Sequence, residues 1–171
     1  EQGTGCGSLM RLYWQPVALT DELAGHRPVV PVRIFGEDLV LFRNGSGEIG
    51  LIDRHCPHRQ VDLCYGRLEE NGLRCPFHGW LFATDGTCLD QPGELPKNNR
   101  VRHFGQANYP CAERNGMIFA YLGPGDPPPL PAVDCLQAPD SHVFAFKGFL
   151  ECNYLQAVEV GIDPAHASFL H

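Results

Sequence analysis

From Val29 onward, the hydrophobic positions repeat at the short period of strands, not the longer period of helices. The stretch "VVPVRIFGEDLVLFRNGSGEIGLIDRHC" predicts strands at about 29–35, 38–43 and 49–53, with turns at Gly36-Glu37-Asp38 and Asn44-Gly45-Ser46-Gly47. "GLRCPFHGWLFATDGTCLD" predicts a hairpin turning at Thr84-Asp85-Gly86, and "YPCAERNGMIFAYLG" adds two strands around Asn115-Gly116. Residues 28–123 thus form one all-β module. In the N-terminal segment, 1–27, "SLMRLYWQPVALTDEL" has apolar residues at mixed spacing and predicts a short helix broken near Pro16. Behind the module, "GPGDPPPLP" places Pro127, Pro128 and Pro129 in a row, which stiffens the chain, so 124–134 is expected to be a linker. Residues 142–153 predict a further strand. "YLQAVEVGIDPAHASFLH" mixes helical spacing with a break at Gly161 and Pro164, so 135–171 is expected to open a second domain.

Composition narrows the classes. Of 171 residues, 43% are hydrophobic and 19% charged, as in folded globular chains. The 19 glycines and 15 prolines suit many short strands joined by tight turns. A net charge of −7 argues against a nucleic-acid partner, which would select a basic face. No run reaches the roughly 18 apolar residues of a membrane helix, so no membrane association is expected. The N-terminus lacks the apolar core of a signal peptide. The expected location is the cytoplasm, where thiols stay reduced, and eight cysteines there point to metal ligands for some of them.

Cys56 and His58 form a C-x-H pair, Cys75 and His78 a C-x-x-H pair, and sixteen residues separate the two. Two ligands from each of two tight loops is how small β modules build a four-ligand site. Zinc accepts such a set, and so does a [2Fe–2S] cluster with two thiolates on one iron and two imidazoles on the other. Cys64 lies between the pairs but is not needed to complete either. Cys6, Cys88, Cys111, Cys135 and Cys152, like His26, His55, His103 and His142, lack partners at ligand spacing.

"CPHRQ" and "CPFHGW" resemble the two cluster loops of Rieske proteins, including the proline after each first cysteine and Gly79 after the last histidine. The resemblance implies an antiparallel β-sandwich, with Cys56 and Cys75 on one iron and His58 and His78 on the other. Respiratory Rieske proteins add a disulfide whose partners would fall at Val61 and Phe77, and a serine donor at the position of Trp80. The departures match the low-potential, oxygenase type, near −150 mV as an order of magnitude. Such a centre is expected to be reduced by an NAD(P)H-dependent flavin or iron–sulfur reductase. A Rieske ferredoxin, purely an electron carrier, is the rival.

Asp163, His166 and His171 form D-x-x-H-x-x-x-x-H. Non-haem Fe(II) oxygenases hold iron with two histidines and a carboxylate. Residues five apart on an ideal helix lie about 140° apart, so both imidazoles converge only if the helix bulges or ends between them. Asp163 and His166, three apart, would share a helical face, which makes Asp163 an orienting partner of His166 rather than a ligand. "CNYLQAVEVGIDPAHASFLH" resembles the iron-binding segment of Rieske non-haem iron oxygenases. "LMRLYWQPVAL" and "GEDLVLFRNGSGEIGLID" resemble the N-terminal part of their phthalate-dioxygenase-like branch. The resemblance implies mononuclear Fe(II) on His166 and His171. It also implies a trimer in which Asp163 links that iron to His78 of another copy, with Asn153 and Glu159 near the path. The reaction implied is O2-dependent hydroxylation or O-demethylation of an aromatic substrate, with an aromatic carboxylate the expected class. The catalytic domain would be α+β, helix-grip-like, and its third iron ligand is expected beyond His171, so the chain reads as a truncated piece.

Overall fold

The computed structural model describes residues 3–95 and 101–170. A short helix α1 (Gly5–Met10) precedes β1 (Trp14–Leu19), β2 (Val29–Ile34), β3 (Glu37–Arg43) and β4 (Ile49–Asp53). Four shorter strands follow: β5 (Arg67–Glu69), β6 (Gly72–Arg74), β7 (Leu81–Phe82) and β8 (Cys88–Asp90). β9 (Cys111–Arg114) and β10 (Met117–Tyr121) close the module, and α2 (Asp134–Gln137), α3 (Tyr154–Ile162) and α4 (Pro164–Leu170) come after it. All strand pairs are antiparallel, in three sheets of order β1-β10-β9, β2-β3-β4 and β5-β6-β7-β8. The fold is mainly β, as the periodicity predicts.

β3 organises the packing. Its run Leu39, Val40, Leu41, Phe42 is buried throughout, the pattern of a strand covered on both faces. Side chains alternate along a strand, so Leu39 and Leu41 point one way and Val40 and Phe42 the other. The first pair joins Leu51, Ala18, Ile118, Ala120 and Leu122 in a core shared with β1 and β10. The second joins Ile52, Leu63, Leu73, Trp80, Phe82, Cys56 and Cys75 in a separate core. The central sheet is thus the floor on which the four-stranded sheet and both cysteine loops rest.

Two expectations need correction, and one hairpin escaped the pattern. Pro16 does not break a helix; it sits in β1, whose register with β10 shifts between Pro16 and Ala18. β1 is an edge strand, where a residue without an N–H is tolerated. The β5–β6 hairpin, with Leu68 opposite Leu73, is too short for period-2 patterning to reveal. Residues 142–153, expected as a strand, form none: no described strand pairs with them, so their N–H and C=O groups have no ladder to join. Phe144, Phe146 and Phe149 in that segment are exposed, as are the apolar residues of α3 and α4. The proline run is tied back to the module, since Trp14 Nε1 donates to Pro128 O at 2.8 Å. No described helix is long and apolar enough to cross a membrane.

Candidate metal centre

Two loops at strand ends share one plan. After β4, Cys56 N donates to Val61 O (2.9 Å) and Gln60 N to Cys56 O (2.8 Å). After β6, Cys75 N donates to Trp80 O (2.8 Å) and Gly79 N to Cys75 O (3.2 Å). In each, the residue four beyond the cysteine turns the chain in the left-handed region, Gln60 at φ 57° and Gly79 at φ 74°. Each loop is a closed turn that buries its cysteine at the base and carries its histidine towards the tip.

The loops bring like to like. Cys56 and Cys75 are 2% and 4% exposed and belong to the same buried cluster. Burial first, and the neighbouring Cys75 thiol in addition, push the Cys56 thiol up to about 11, while the backbone N–H of His58 pulls the other way. The Cys56 thiol stays protonated in this dry setting unless a cation compensates the charge of its thiolate. The His58 and His78 rings lie 4.5 Å apart between centroids. Trp80 lies flat on His58, at 4.9 Å and 7°, and Phe104 meets Trp80 edge-on at 5.0 Å. Phe77 packs on His78 at 4.0 Å yet is 58% exposed, and with Val61 and Pro76 it lines an open apolar surface.

The donor set fits a two-iron cluster. His58 Nδ1 is buried without a hydrogen-bond partner, a state that costs about 1–3 kcal/mol unless another partner compensates. Among the described residues, no three His, Cys, Asp or Glu side chains group around a single ion. A thiol pair beside an imidazole pair is the division that two irons with two ligands each require. Cys64 lies in the 3₁₀ turn Leu63–Tyr65, packed against the core that contains Cys56 and Cys75, its thiol pushed up to about 11 by burial and by Asp62.

Sequence patterning missed the residues that hold the loops. Arg54 donates from Nε (3.0 Å) and Nη2 (2.5 Å) to Asp62 Oδ2, while Asp62 Oδ1 accepts from Cys64 N (2.8 Å). This brace spans the base of the first loop and holds the Asp62 carboxyl down at about 2. Arg74, next to Cys75, bonds Glu69 and Asp90. An arginine two residues before Cys56 and another one residue before Cys75 were the available signal.

The second constellation is less assembled. Asp163 is not helical: it sits between α3 and α4 at φ −81°, ψ 108°, because Pro164 disfavours helical geometry in the residue before it. The shared helical face expected of Asp163 and His166 is therefore absent. Asp163 Oδ1 instead accepts from Ala165 N (2.9 Å), capping α4, which carries His166 half-buried. His171 lies outside the described residues. Asn153 caps α3 by accepting from Leu155 N (2.9 Å), and Glu159 is exposed on that helix.

Residues 13–110 match the family model of the Rieske [2Fe-2S] domain. The phenoxybenzoate dioxygenase subunit alpha of Ectopseudomonas oleovorans is 43% identical over 185 residues, covering 99% of this chain and 45% of that protein. The oxygenase subunit of tert-butanol monooxygenase / tert-amyl alcohol desaturase from Aquincola tertiaricarbonis is 42% identical over 173 residues, covering 99% and 36%. Dicamba monooxygenase, solved with non-heme iron and dicamba, superposes with a TM-score of 0.64 at 29% identity, over 77% of this chain and 40% of that one. The chain spans less than half the length of these relatives.

Proposed function

The chain belongs to the Rieske [2Fe-2S] domain family, and from that premise we propose that it forms the N-terminal part of a Rieske non-haem iron oxygenase component. In this proposal Cys56, Cys75, His58 and His78 hold the [2Fe–2S] cluster, and His166 and His171 hold a mononuclear Fe(II). Residues 28–123 are the cluster domain, 124–134 the linker, and 135–171 the opening of an α+β, helix-grip-like catalytic domain. The observation that carries the proposal is the occurrence, on two loops of one plan, of two buried thiols and of two imidazoles whose rings lie 4.5 Å apart, one of them with an orphaned buried nitrogen.

When bound, the cluster supplies reversible one-electron storage at low potential. The chain's own residues decide how that charge is handled. Burial of Cys56 and Cys75 excludes water from the sulfur side. Trp80, 4% exposed, shields one face of the His58 imidazole. Val61 and Phe77, where respiratory relatives carry cysteines, leave the loops unbridged and the tip apolar, suited to contact with another protein surface. In this proposal Asp163, which caps the helix that carries His166, accepts a hydrogen bond from His78 of a neighbouring copy in a trimer.

The partners proposed are an NAD(P)H-dependent reductase, O2 and an aromatic molecule undergoing hydroxylation or O-demethylation, in the cytoplasm. The phenoxybenzoate dioxygenase relative supports an aromatic carboxylate. Iron analysis of the full-length protein tests the whole reading: three irons per chain are expected, whereas two would mark a pure electron carrier. Asp163→Asn is the matching mechanistic test. Asparagine caps a helix as well as aspartate, so the variant removes charge and keeps the α4 cap. It should retain all three irons yet slow substrate-coupled O2 consumption, and normal turnover would refute the bridging role.

A further inference from the structure

Arg74 ends β6 immediately before Cys75, with its side chain 17% exposed. Its guanidinium makes four separate contacts. Nε donates to Glu69 Oε1 (2.6 Å) and Nη2 to Glu69 Oε2 (2.8 Å), a bidentate pair reaching β5. Nη1 donates to Asp90 Oδ2 (2.9 Å) at the end of β8 and also to the backbone carbonyl of Gly79. The fork therefore joins both outer strands of the four-stranded sheet to the residue that follows His78.

Gly79 is where this matters. It turns the second loop in the left-handed region, and its N–H already closes the loop onto Cys75. Its carbonyl would otherwise have no fixed partner among these contacts. With its N–H and its carbonyl both held, the two peptide planes that flank Gly79 are each fixed, the first of them shared with His78. The first loop is braced differently: Arg54 works through Asp62 and bonds no carbonyl of the ligand turn. The two braces thus act on different parts of their loops.

We infer that Arg74 is a positioning residue for the metal centre, holding the Gly79 carbonyl so that the second loop presents His78 in one fixed orientation. The inference rests on the cluster reading proposed above. Charge alone does not satisfy the geometry. Lysine offers one compact nitrogen and cannot span Glu69, Asp90 and Gly79 together, whereas the planar fork does. A residue that only stabilised the sheet would affect unfolding and nothing else. A residue that sets an imidazole's orientation also affects the electronic signature of the metal centre and the grip of its ligands.

The test uses full-length protein with Arg74→Lys, compared with wild type by three measurements: thermal midpoint, EPR spectrum of the dithionite-reduced protein, and rate of iron release to a chelator. The inference predicts shifted g-values and iron release about tenfold or more faster at temperatures well below the thermal midpoint, in line with losses seen when groups supporting metal ligands are removed. A lowered midpoint with wild-type g-values and wild-type release would overturn it. Should Arg74→Lys yield no folded protein, Glu69→Gln decides the matter. That variant weakens the bidentate anchor while keeping Arg74, and it should give a smaller change in the same direction, whereas wild-type spectra and release would overturn the inference. Wild-type protein that takes up no iron and acid-labile sulfide would overturn the cluster reading itself, a failure distinct from an Arg74 variant that merely matches wild type.

Discussion

Replacing Gly79 with alanine perturbs the second loop at its tightest point. At φ 74° the backbone is in the left-handed region, which costs an L-residue with a Cβ about 1–2 kcal/mol. The added Cβ would also lie 2.9 Å from Pro92 Cγ and 3.9 Å from Arg74 Nη1. The ring of Pro92 cannot rotate away as a flexible side chain would, so a further overpacking cost of about 1–3 kcal/mol is expected. Together these predict a loss of about 2–5 kcal/mol, a large fraction of a typical domain's stability. Gly125→Ala separates the two causes, because Gly125 has φ 72° but nothing within 4 Å of its would-be Cβ. Urea denaturation of both variants gives the comparison. Gly79→Ala should cost at least about 1 kcal/mol more than Gly125→Ala. Equal losses would refute the claim that Pro92 closes over the loop, and a loss below about 0.5 kcal/mol at Gly79 would refute the strained-turn reasoning altogether.

Other predictions follow from the same geometry. Arg74 and Arg67 hold the Glu69 carboxyl at about 2 against an ordinary 4.5. A depressed folded-state value adds stability that is present above 4.5 and disappears as pH falls from about 4.5 towards about 2. The side chain is 25% exposed and partly screened, so the contribution expected is about 1 kcal/mol. Glu69→Gln should therefore flatten the acid limb of the stability profile, and an unchanged limb would refute the assignment. Cys64→Ser should retain full iron and sulfide content, whereas Cys56→Ser should lose the cluster; the opposite pattern would reassign the ligands.

Much of the fold was legible because β2, β3, β4, β9 and β10 are long enough for turn chemistry and apolar runs to mark their ends. β1 was not, since its half-buried positions show no alternation and Pro16 imitates a helix breaker. β5 and β6, at three residues each, carry too few positions for any period. At the metal centre, ligand spacing was visible because a metal fixes residue type at fixed intervals. The stacking of Trp80 on His58 and the Arg54 and Arg74 braces were not, because they depend on which side chains meet across strands. Asp163 shows the converse. Its helical pairing with His166 was inferred from spacing alone, and Pro164, one residue on, decides the local geometry instead.

The central claim is that two thiols and two imidazoles of this chain divide between two irons. Pulsed EPR of the reduced full-length protein, with nitrogen couplings resolved, tests it most directly. Two histidine nitrogen couplings are expected in wild type, with one altered or lost in each of His58→Cys and His78→Cys. A colourless zinc protein, or an iron–sulfur signal without histidine nitrogen coupling, would contradict the account.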